Sequence, residues 1–438
     1  MVSFNHSDQT IKKYLSTYAE PELKSLTVTQ ALDFDSMLVL PIFDEPIEDL
    51  NRFLQLNEAK KVVMIWVFNC PDNTQRDEQQ RTQAAMKHFI ATLGAQELKQ
   101  TSAQTSEIYF GQGSESLGFY IIDRCSDGRE IPAKQGVGLA RKLGMDLGLK
   151  LIDQQNEHVG KSVAWIHSSD ADVVLPQNYF DVPAPEINTS AIIYPFEHHA
   201  EQGYEQSMAL YDFSLRYYVD QLAWAGSPYA FHTIGSLIAV TPLAYAQVRG
   251  MPKRSGAEDF YLLNKLAKVG CVRSLKSPVI NIAGRPSHRV PFGTGPALVK
   301  LQEMIDPFSN YTFYHPEIFR ALKQLLMIVS EAEQSIASVE VLFSQLHDRM
   351  PKEKAEHVIA TLRILKVDKQ FEHLSQKKTY AQFVQGFHTW FDAFVSLRFI
   401  HIMRDQAYPS VNLAALTQYF DSNGVIFEHY PRIANLGI

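Results

Sequence analysis

A change of rhythm near residue 300 restricts what this chain can fold into more than any other feature. Up to that point, short apolar runs of strand length alternate with longer runs of helical periodicity. The strand-like runs are "MLVLPIF" (37–43), "KVVMIWVFN" (61–69), "GFYIID" (118–123), "KSVAWIH" (161–167) and "SAIIYPF" (190–196). Between them stand "EPIEDLNRFLQL", "TQRDEQQRTQAAMKHFIATLG" and "GVGLARKLGMDLGLKLID", with apolar residues recurring at i, i+3 and i+4. In the second of these, Ala85, Phe89, Ile90 and Leu93 form the inward face. Apolar strands separated by helices need crossover connections, which build an α/β fold with a mostly parallel sheet and helices on both faces.

Past residue 300, "HPEIFRALKQLLMIV", "SIASVEVLFSQLHDRM", "KAEHVIATLRILKV" and "FVQGFHTWFDAFVSLRFIHIM" all have helical periodicity, with no strand between them. A chain of 438 residues is long for one core, so a large domain plus a smaller one is expected. The division predicted is an N-terminal helical extension over 1–35, an α/β domain over 36–300 and an α-helical C-terminal domain over 301–438. The last helical stretch carries Phe383, Phe387, Trp390, Phe391 and Phe394 at i, i+3, i+4 spacing, the pattern of a core helix. The alternative is a helix whose exposed rings contact a membrane surface, a partner or a second copy of the chain.

Composition removes several function classes. A net charge of −7 argues against the basic stripe of a nucleic-acid binder, while leaving room for a small phosphorylated ligand. Cys70, Cys125 and Cys271 lie far apart with no C-x-x-C pair, so neither a disulfide scaffold nor a cysteine zinc site is suggested. The first residues, "MVSFNHSDQTIKKYLSTYAEPELKSL", lack the apolar core of a signal peptide. No apolar window reaches the ~18 residues of a spanning helix. A cytoplasmic protein without a transmembrane segment is expected.

In open α/β sheets ligands bind outside the carboxyl ends of the strands. "KSVAWIH" ends there and runs directly into "SSDADVVLP", which presents Asp170 and Asp172 on either side of one small residue. Oxygen ligands of this kind suit Mg²⁺ or Mn²⁺, held by few protein groups together with substrate phosphates. Glu258 and Asp259, in "SGAEDFYLLNKL", stand where a helix begins; there they either complement the helix dipole or supply a carboxylate base. "GRPSHRVPFGTG" (284–295) is a glycine- and proline-rich loop holding His288 and Arg289, able to close over substrate. "GVGLAR" (136–141) lacks the third glycine of the dinucleotide fingerprint and does not directly follow a strand, so no pyrophosphate site is expected at that helix start.

Four segments in order resemble the GT-A-fold glycosyltransferases, most closely the family 2 type. They are "LVLPIFDEPIEDL", "VFNCPDNT", "GVGLARKLGMDLGLKL" leading to "AWIHSSDADVVLP", and "IGSLIAVTPLAYAQVRGMPKRSGAEDFYLLNKLAKVG". The resemblance covers roughly residues 35–295 and leaves the C-terminal helices unexplained. It implies a GT-A (Rossmann-like) sheet and transfer of a hexose from a nucleotide diphosphate sugar to an acceptor hydroxyl, with inversion. The implied donor is a UDP-sugar first and a GDP-sugar second, with Mn²⁺ or Mg²⁺ as cofactor. Pro41, Glu45, Asn69, Arg141, Asp170 and Arg289 would line the nucleotide side, with Asp170, Asp172 and His288 as metal ligands. Asp259, beside Glu258, would be the general base. Asn69 stands where the family commonly has Asp, and Asp44 where it usually has Asn.

Besides a nucleotidyltransferase on a related sheet, the resemblance leaves two alternatives. One is a retaining synthase acting on a small acidic acceptor of the glycerate type, for which Arg249, Lys253 and Arg254 could bind the acid. The other is a non-catalytic relative that works as a binding module through its C-terminal helices.

Overall fold

The structure, a computed structural model, describes residues 4–423 apart from 25, 29–32, 57–59, 99–105, 287–292, 333–335, 337 and 378. The chain forms two compact units, Met1–His199 with Thr233–Ala283, and Ala200–His232 with Gly284–Ile438. Neither unit is continuous in sequence.

The first unit opens with α1 (Phe4–Thr17), α2 (Pro21–Lys24), β1 (Ser36–Ile42), α3 (Ile47–Asn51) and β2 (Val62–Asn69). It continues with α4 (Arg76–Thr92), β3 (Gln96–Glu97), β4 (Glu107–Ser114), β5 (Leu117–Arg124) and α5 (Gly136–His158). Next come β6 (Ile166–Ser168), β7 (Val173–Val174), β8 (Thr189–Ile193) and β9 (Phe196–Ala200); the chain then leaves for α6 (Glu205–Trp224), which belongs to the second unit. It returns with β10 (Ile238–Val240), α7 (Pro242–Gln247), α8 (Glu258–Leu266), β11 (Cys271–Ser274) and β12 (Ile280–Gly284).

Nine strands form one mixed sheet in the order β11-β8-β10-β6-β1-β2-β5-β4-β3, and β7-β12-β9 form a second, small sheet. The centre, β6-β1-β2-β5, is parallel throughout. β10 runs antiparallel between β6 and β8, and β4 and β3 close the other edge antiparallel. The fold class is therefore α/β with a parallel centre, as expected, in a sheet that is mixed rather than parallel at its flanks.

Side chains alternate along β2, and its two faces carry different helices. Trp66 meets Phe89 of α4 with ring centroids 4.9 Å apart. On the opposite face Val67 and Val39 lie under α5, so close that a Cβ on Gly144 would clash with Val39. Two strands are shorter than their apolar runs. In "KSVAWIH" only Ile166 and His167 are strand; Trp165, just before them, donates its indole N–H to Pro183 O at 3.0 Å. "SAIIYPF" divides at Pro195, which has no N–H to continue a ladder; Phe196 starts β9 in the other sheet. Cys70 and Cys125, distant in sequence, follow the paired ends of β2 and β5. Both are buried, and a hydrogen bond with Cys70 together with burial pushes the Cys125 thiol pKa up.

The second unit is helical. After α6 it contains α9 (Thr294–Glu303), α10 (Pro307–Asn310), β13 (Thr312–Phe313), α11 (Pro316–Glu331), α12 (Val339–Arg349) and α13 (Lys352–Ile364). The remainder is α14 (Val367–Leu374), α15 (Tyr380–Trp390), α16 (Ala393–Gln406), β14 (Val411–Asn412) and α17 (Leu413–Asn423). Among the described residues β13 and β14 pair only with each other. The unit differs from a cut at residue 300 because Leu210, Phe213, Tyr217 and Leu222 of α6 are buried in the same core as α11 and α16. Residue 300 itself lies inside α9.

The segment 306–316 belongs to this core too, with Phe313 buried and paired to Val411. The long aromatic stretch is two helices, not one, because the Asp392 carboxylate accepts the Val395 N–H at 3.0 Å and starts a new helix. Phe383, Phe387 and Phe391 are buried, Trp390 is half-buried, and Phe394 is exposed. Among the described residues no helix is long and apolar enough to cross a membrane.

One buried polar cluster ties α1, α5 and α7 together. Asp146 accepts from Tyr14 Oη at 2.5 Å, Tyr245 Oη at 2.7 Å, Lys142 Nζ at 2.8 Å and Glu20 N at 3.0 Å. Asp146 and Lys142 are both buried, and Asp146 is the nearest counter-charge of Lys142 at 2.8 Å, with Glu20 farther at 3.8 Å. Replacing Asp146 by Ala removes the closer counter-charge of a buried ammonium and is expected to lower stability by about 3 kcal/mol. A urea unfolding curve should show the lower midpoint with an unchanged slope. Adding Lys142→Met should recover much of the loss, which a packing defect alone would not.

Candidate functional site

Because β1, β2 and β6 are mutually parallel, their carboxyl ends share one edge of the sheet. Pro41 lies in β1 two residues past the last pairing with β6, at Val39–Ser168, and is itself paired with Val67. Asp44 follows with φ +52°, a left-handed conformation that Asp and Asn tolerate better than other side chains. The Asp44 carboxylate takes both Arg81 Nε at 2.6 Å and a second Arg81 N–H at 2.9 Å, and Glu45 beside it is buried. At the end of β2, Asn69 donates from Nδ2 to Ile42 O and Val67 O, both at 3.1 Å. An Asp here would set a carboxylate against two carbonyl oxygens. What Asn69 has left to offer a ligand is its side-chain carbonyl.

Arg141, in the second turn of α5, is the centre of the arrangement and is 3% exposed. Its Nε donates to Glu258 Oε1 at 3.0 Å, and one terminal nitrogen reaches Ser168 Oγ at 2.9 Å and Ser169 O at 3.1 Å. The other terminal nitrogen is ion-paired with Asp170. Burial opposes the guanidinium charge, but Asp170, Glu258 and Asp259 outweigh it and raise the Arg141 pKa. Gly235 makes the room: a Cβ there would stand 2.5 Å from an Arg141 terminal nitrogen. Ser169 Oγ donates to Ser236 O at 3.0 Å and fixes the turn that carries this glycine.

Glu258 and Asp259 open α8 after Ala257, whose φ of +56° is left-handed and strained for an alanine. Glu258 is buried on Arg141. Asp259 is partly exposed, and its Oδ1 accepts the Phe260 N–H at 2.7 Å. Burial raises its carboxyl to about 7, with Glu258 and Asp170 adding to the rise and the Phe260 N–H and Arg141 opposing it. A carboxylate poised near neutrality suits proton abstraction.

Asp170, Glu258, Asp259 and Arg141 are therefore brought together, with carboxylate charge in excess of the single guanidinium. Asp172 lies two residues beyond Asp170 in the same turn and is partly buried, while Ala171 between them is buried and its carbonyl accepts from Arg52. Oxygen atoms of Asp170 and Asp172 are the donor type for Mg²⁺ or Mn²⁺ shared with substrate phosphates. Among the described residues no third His, Cys, Asp or Glu completes a metal cluster. His288 and Arg289 lie outside the described residues.

The basic trio is engaged within the protein. Arg249 lies over Tyr18, Arg254 over Tyr261 at 3.9 Å, and Lys253 pairs with Glu20 at 3.2 Å. "GVGLAR" has a packing explanation: Gly138 N donates to Arg254 O at 2.9 Å, and a Cβ on Gly138 would meet Pro252 O at 2.5 Å. The start of α5 is thus covered by the 252–255 segment. Ser168, Ser169 and Gly235 escaped the sequence reading, although the serine pair immediately before Asp170 was a signal available to it. No protein-family model matches this chain, and no curated protein matches it either.

The raised carboxyl has a consequence for stability. The fold disfavours ionised Asp259, so the penalty is fully developed above pH about 7 and fades as pH falls toward the ordinary carboxylate value of about 4. Asp259→Asn should therefore raise the melting temperature at pH 8 and have little effect at pH 4. An equal shift at both pH values would contradict the raised carboxyl.

Proposed function

We propose that this chain is a metal-dependent glycosyltransferase of the GT-A type, moving a hexose from a nucleotide diphosphate sugar to an acceptor hydroxyl with inversion. One observation carries the reading: Arg141 joins the Asp170–Asp172 turn to the Glu258–Asp259 helix start at the carboxyl edge of the sheet. The two motifs that stood apart in sequence thus meet where substrates bind in such folds.

Each group has a task in this reading. Glu45 and the Asn69 carbonyl border the nucleotide, with the UDP-sugar the first donor to test and the GDP-sugar the second. Asp170 and Asp172 would hold Mn²⁺ or Mg²⁺. When bound, such an ion supplies Lewis-acid stabilisation to the negative charge developing on the leaving diphosphate. His288 and Arg289, outside the described residues, are the further ligand and diphosphate partner expected from sequence. Asp259 takes the proton from the acceptor hydroxyl as the new C–O bond forms at the anomeric carbon and the bond to the diphosphate oxygen breaks. Arg141 is a positioning residue: four donor contacts from Nε and both terminal nitrogens engage Glu258, Ser168, Ser169 and Asp170, so it orients carboxylates rather than reaching for the nucleotide.

The test is nucleotide release from a panel of UDP- and GDP-sugars with Mn²⁺, in water and then with sugar acceptors. Asp172→Ala should abolish the metal dependence of donor binding; unchanged affinity with and without Mn²⁺ in wild type and variant alike would remove the metal assignment. Asp259→Asn should reduce turnover by ~10²–10⁴ with donor affinity nearly unchanged. In the wild type kcat/KM should fall as pH drops below about 7, because the base is then protonated. Proton NMR of the product from an α-linked donor should show a β linkage. An α product would favour the retaining reading, and absence of turnover with every donor would favour the binding-module reading.

A further inference from the structure

The second unit carries an open groove of about 840 Å³ between α14 and α15. Its size lies in the ~300–1,000 Å³ range of small-molecule sites. Gln370 and His373 of α14 and Gln376 just beyond it line the groove with Gln382, Gln385 and Trp390 of α15. Among the described residues Lys377 is the one lysine or arginine in the lining, and no aspartate or glutamate accompanies it. Gly386 lets the helices approach: a Cβ there would stand 2.9 Å from Leu374 Cδ2.

This lining has a specific chemical character. A primary amide offers donors and an acceptor together, as a sugar hydroxyl does, whereas phosphates and carboxylates are recognised by clustered cations. Among the described residues the side-chain amides of Gln370, Gln382 and Gln385 form no hydrogen bond, so their capacity is available to a ligand. Trp390 is half-buried and seated against Phe387 and Phe391, with ring centroids 5.5 and 5.7 Å away. That contact holds the indole in place while part of it walls the groove. An indole packs against the C–H face of a pyranose, and its N–H can meet a hydroxyl. The lining is mixed, with Leu374 and Trp390 supplying apolar surface beside the amides, and a pyranose likewise presents both C–H faces and hydroxyls.

We propose that the α14–α15 groove is a saccharide-binding subsite that takes a short neutral oligosaccharide. The inference goes beyond glycosyl transfer and does not rest on it, since every residue involved lies in the unit that does not contain Arg141.

The test uses the full-length chain, fluorescently labelled, on an array of immobilised neutral and acidic glycans. A defined set of neutral glycans should be retained. The double variant Gln382→Ala with Gln385→Ala should lower that retention at least fivefold. Both positions are exposed and alanine favours helices, so its circular dichroism should be unchanged. Trp390→Phe should also lower retention while keeping a ring against Phe387. Retention confined to acidic glycans, retention of none, or retention unaffected by both the double variant and Trp390→Phe would overturn the proposal.

Discussion

A guanidinium cannot be buried without partners, and Arg141 is 3% exposed. Its geometry therefore dictates what surrounds it. The side chain leaves α5, and its fork must find acceptors in fixed directions; Glu258, Ser168, Ser169 and Asp170 provide them from the start of α8 and the end of β6. Lysine could not substitute, because a point charge on a flexible stem lacks the planar fork that meets these acceptors together. The bonds run both ways. Glu258 is buried only because Arg141 neutralises it, so the start of α8 and the Asp170 turn are held by one ion.

α5 has a second ionic anchor one residue further on. Lys142 and Asp146, one turn apart, are buried with Tyr14 and Tyr245 and fasten α1 and α7. Neighbouring residues of a helix point in different directions, so Arg141 and Lys142 serve separate clusters from adjacent positions. The apolar side of the same helix lies on Val39 and Val67 of the sheet, close enough to require glycine at 144. A helix fixed by packing and by two ionic clusters has little freedom to rotate. That rigidity keeps the orientation of Arg141, and hence of the carboxylates, to narrow limits.

The elements with a strong internal signal were legible from sequence. β1 and β2 are buried at every position and stand as continuous apolar runs in the chain, and α4 and α5 repeat at helical spacing. Boundaries set by a single hydrogen bond were less so. Nothing in "KSVAWIH" marks where its strand begins, and the one local sign of a break at Asp392, a favoured N-cap residue, is outweighed by the aromatic periodicity on both sides of it. α6, ending at Trp224, joins the helical core across about seventy residues before the next helix it touches, α9 from Thr294, a contact that periodicity cannot convey. The site divided in the same way. Asp170, Glu258 and Asp259 were visible because carboxylates at element ends are conspicuous. Gly235 was not, because its role is to leave space for a side chain from another element.

The site is also where the fold departs from what favours stability. Ala257 sits at φ +56° where glycine would be unstrained, directly before two adjacent acidic residues, and Asp259 is held where ionisation is unfavourable. These features share one cause. Placing Glu258 on Arg141 fixes the first turn of α8, and Asp259, one residue on, then falls beside Glu258 and within the field of Asp170. The strain at Ala257 is the backbone bend that delivers both carboxylates to the same edge of the sheet. Local cost of this kind persists only where surrounding structure over-determines it. Here the over-determination comes from α5, whose buried ion pairs and close contact with β1 and β2 leave the carboxylates no lower-energy place to go.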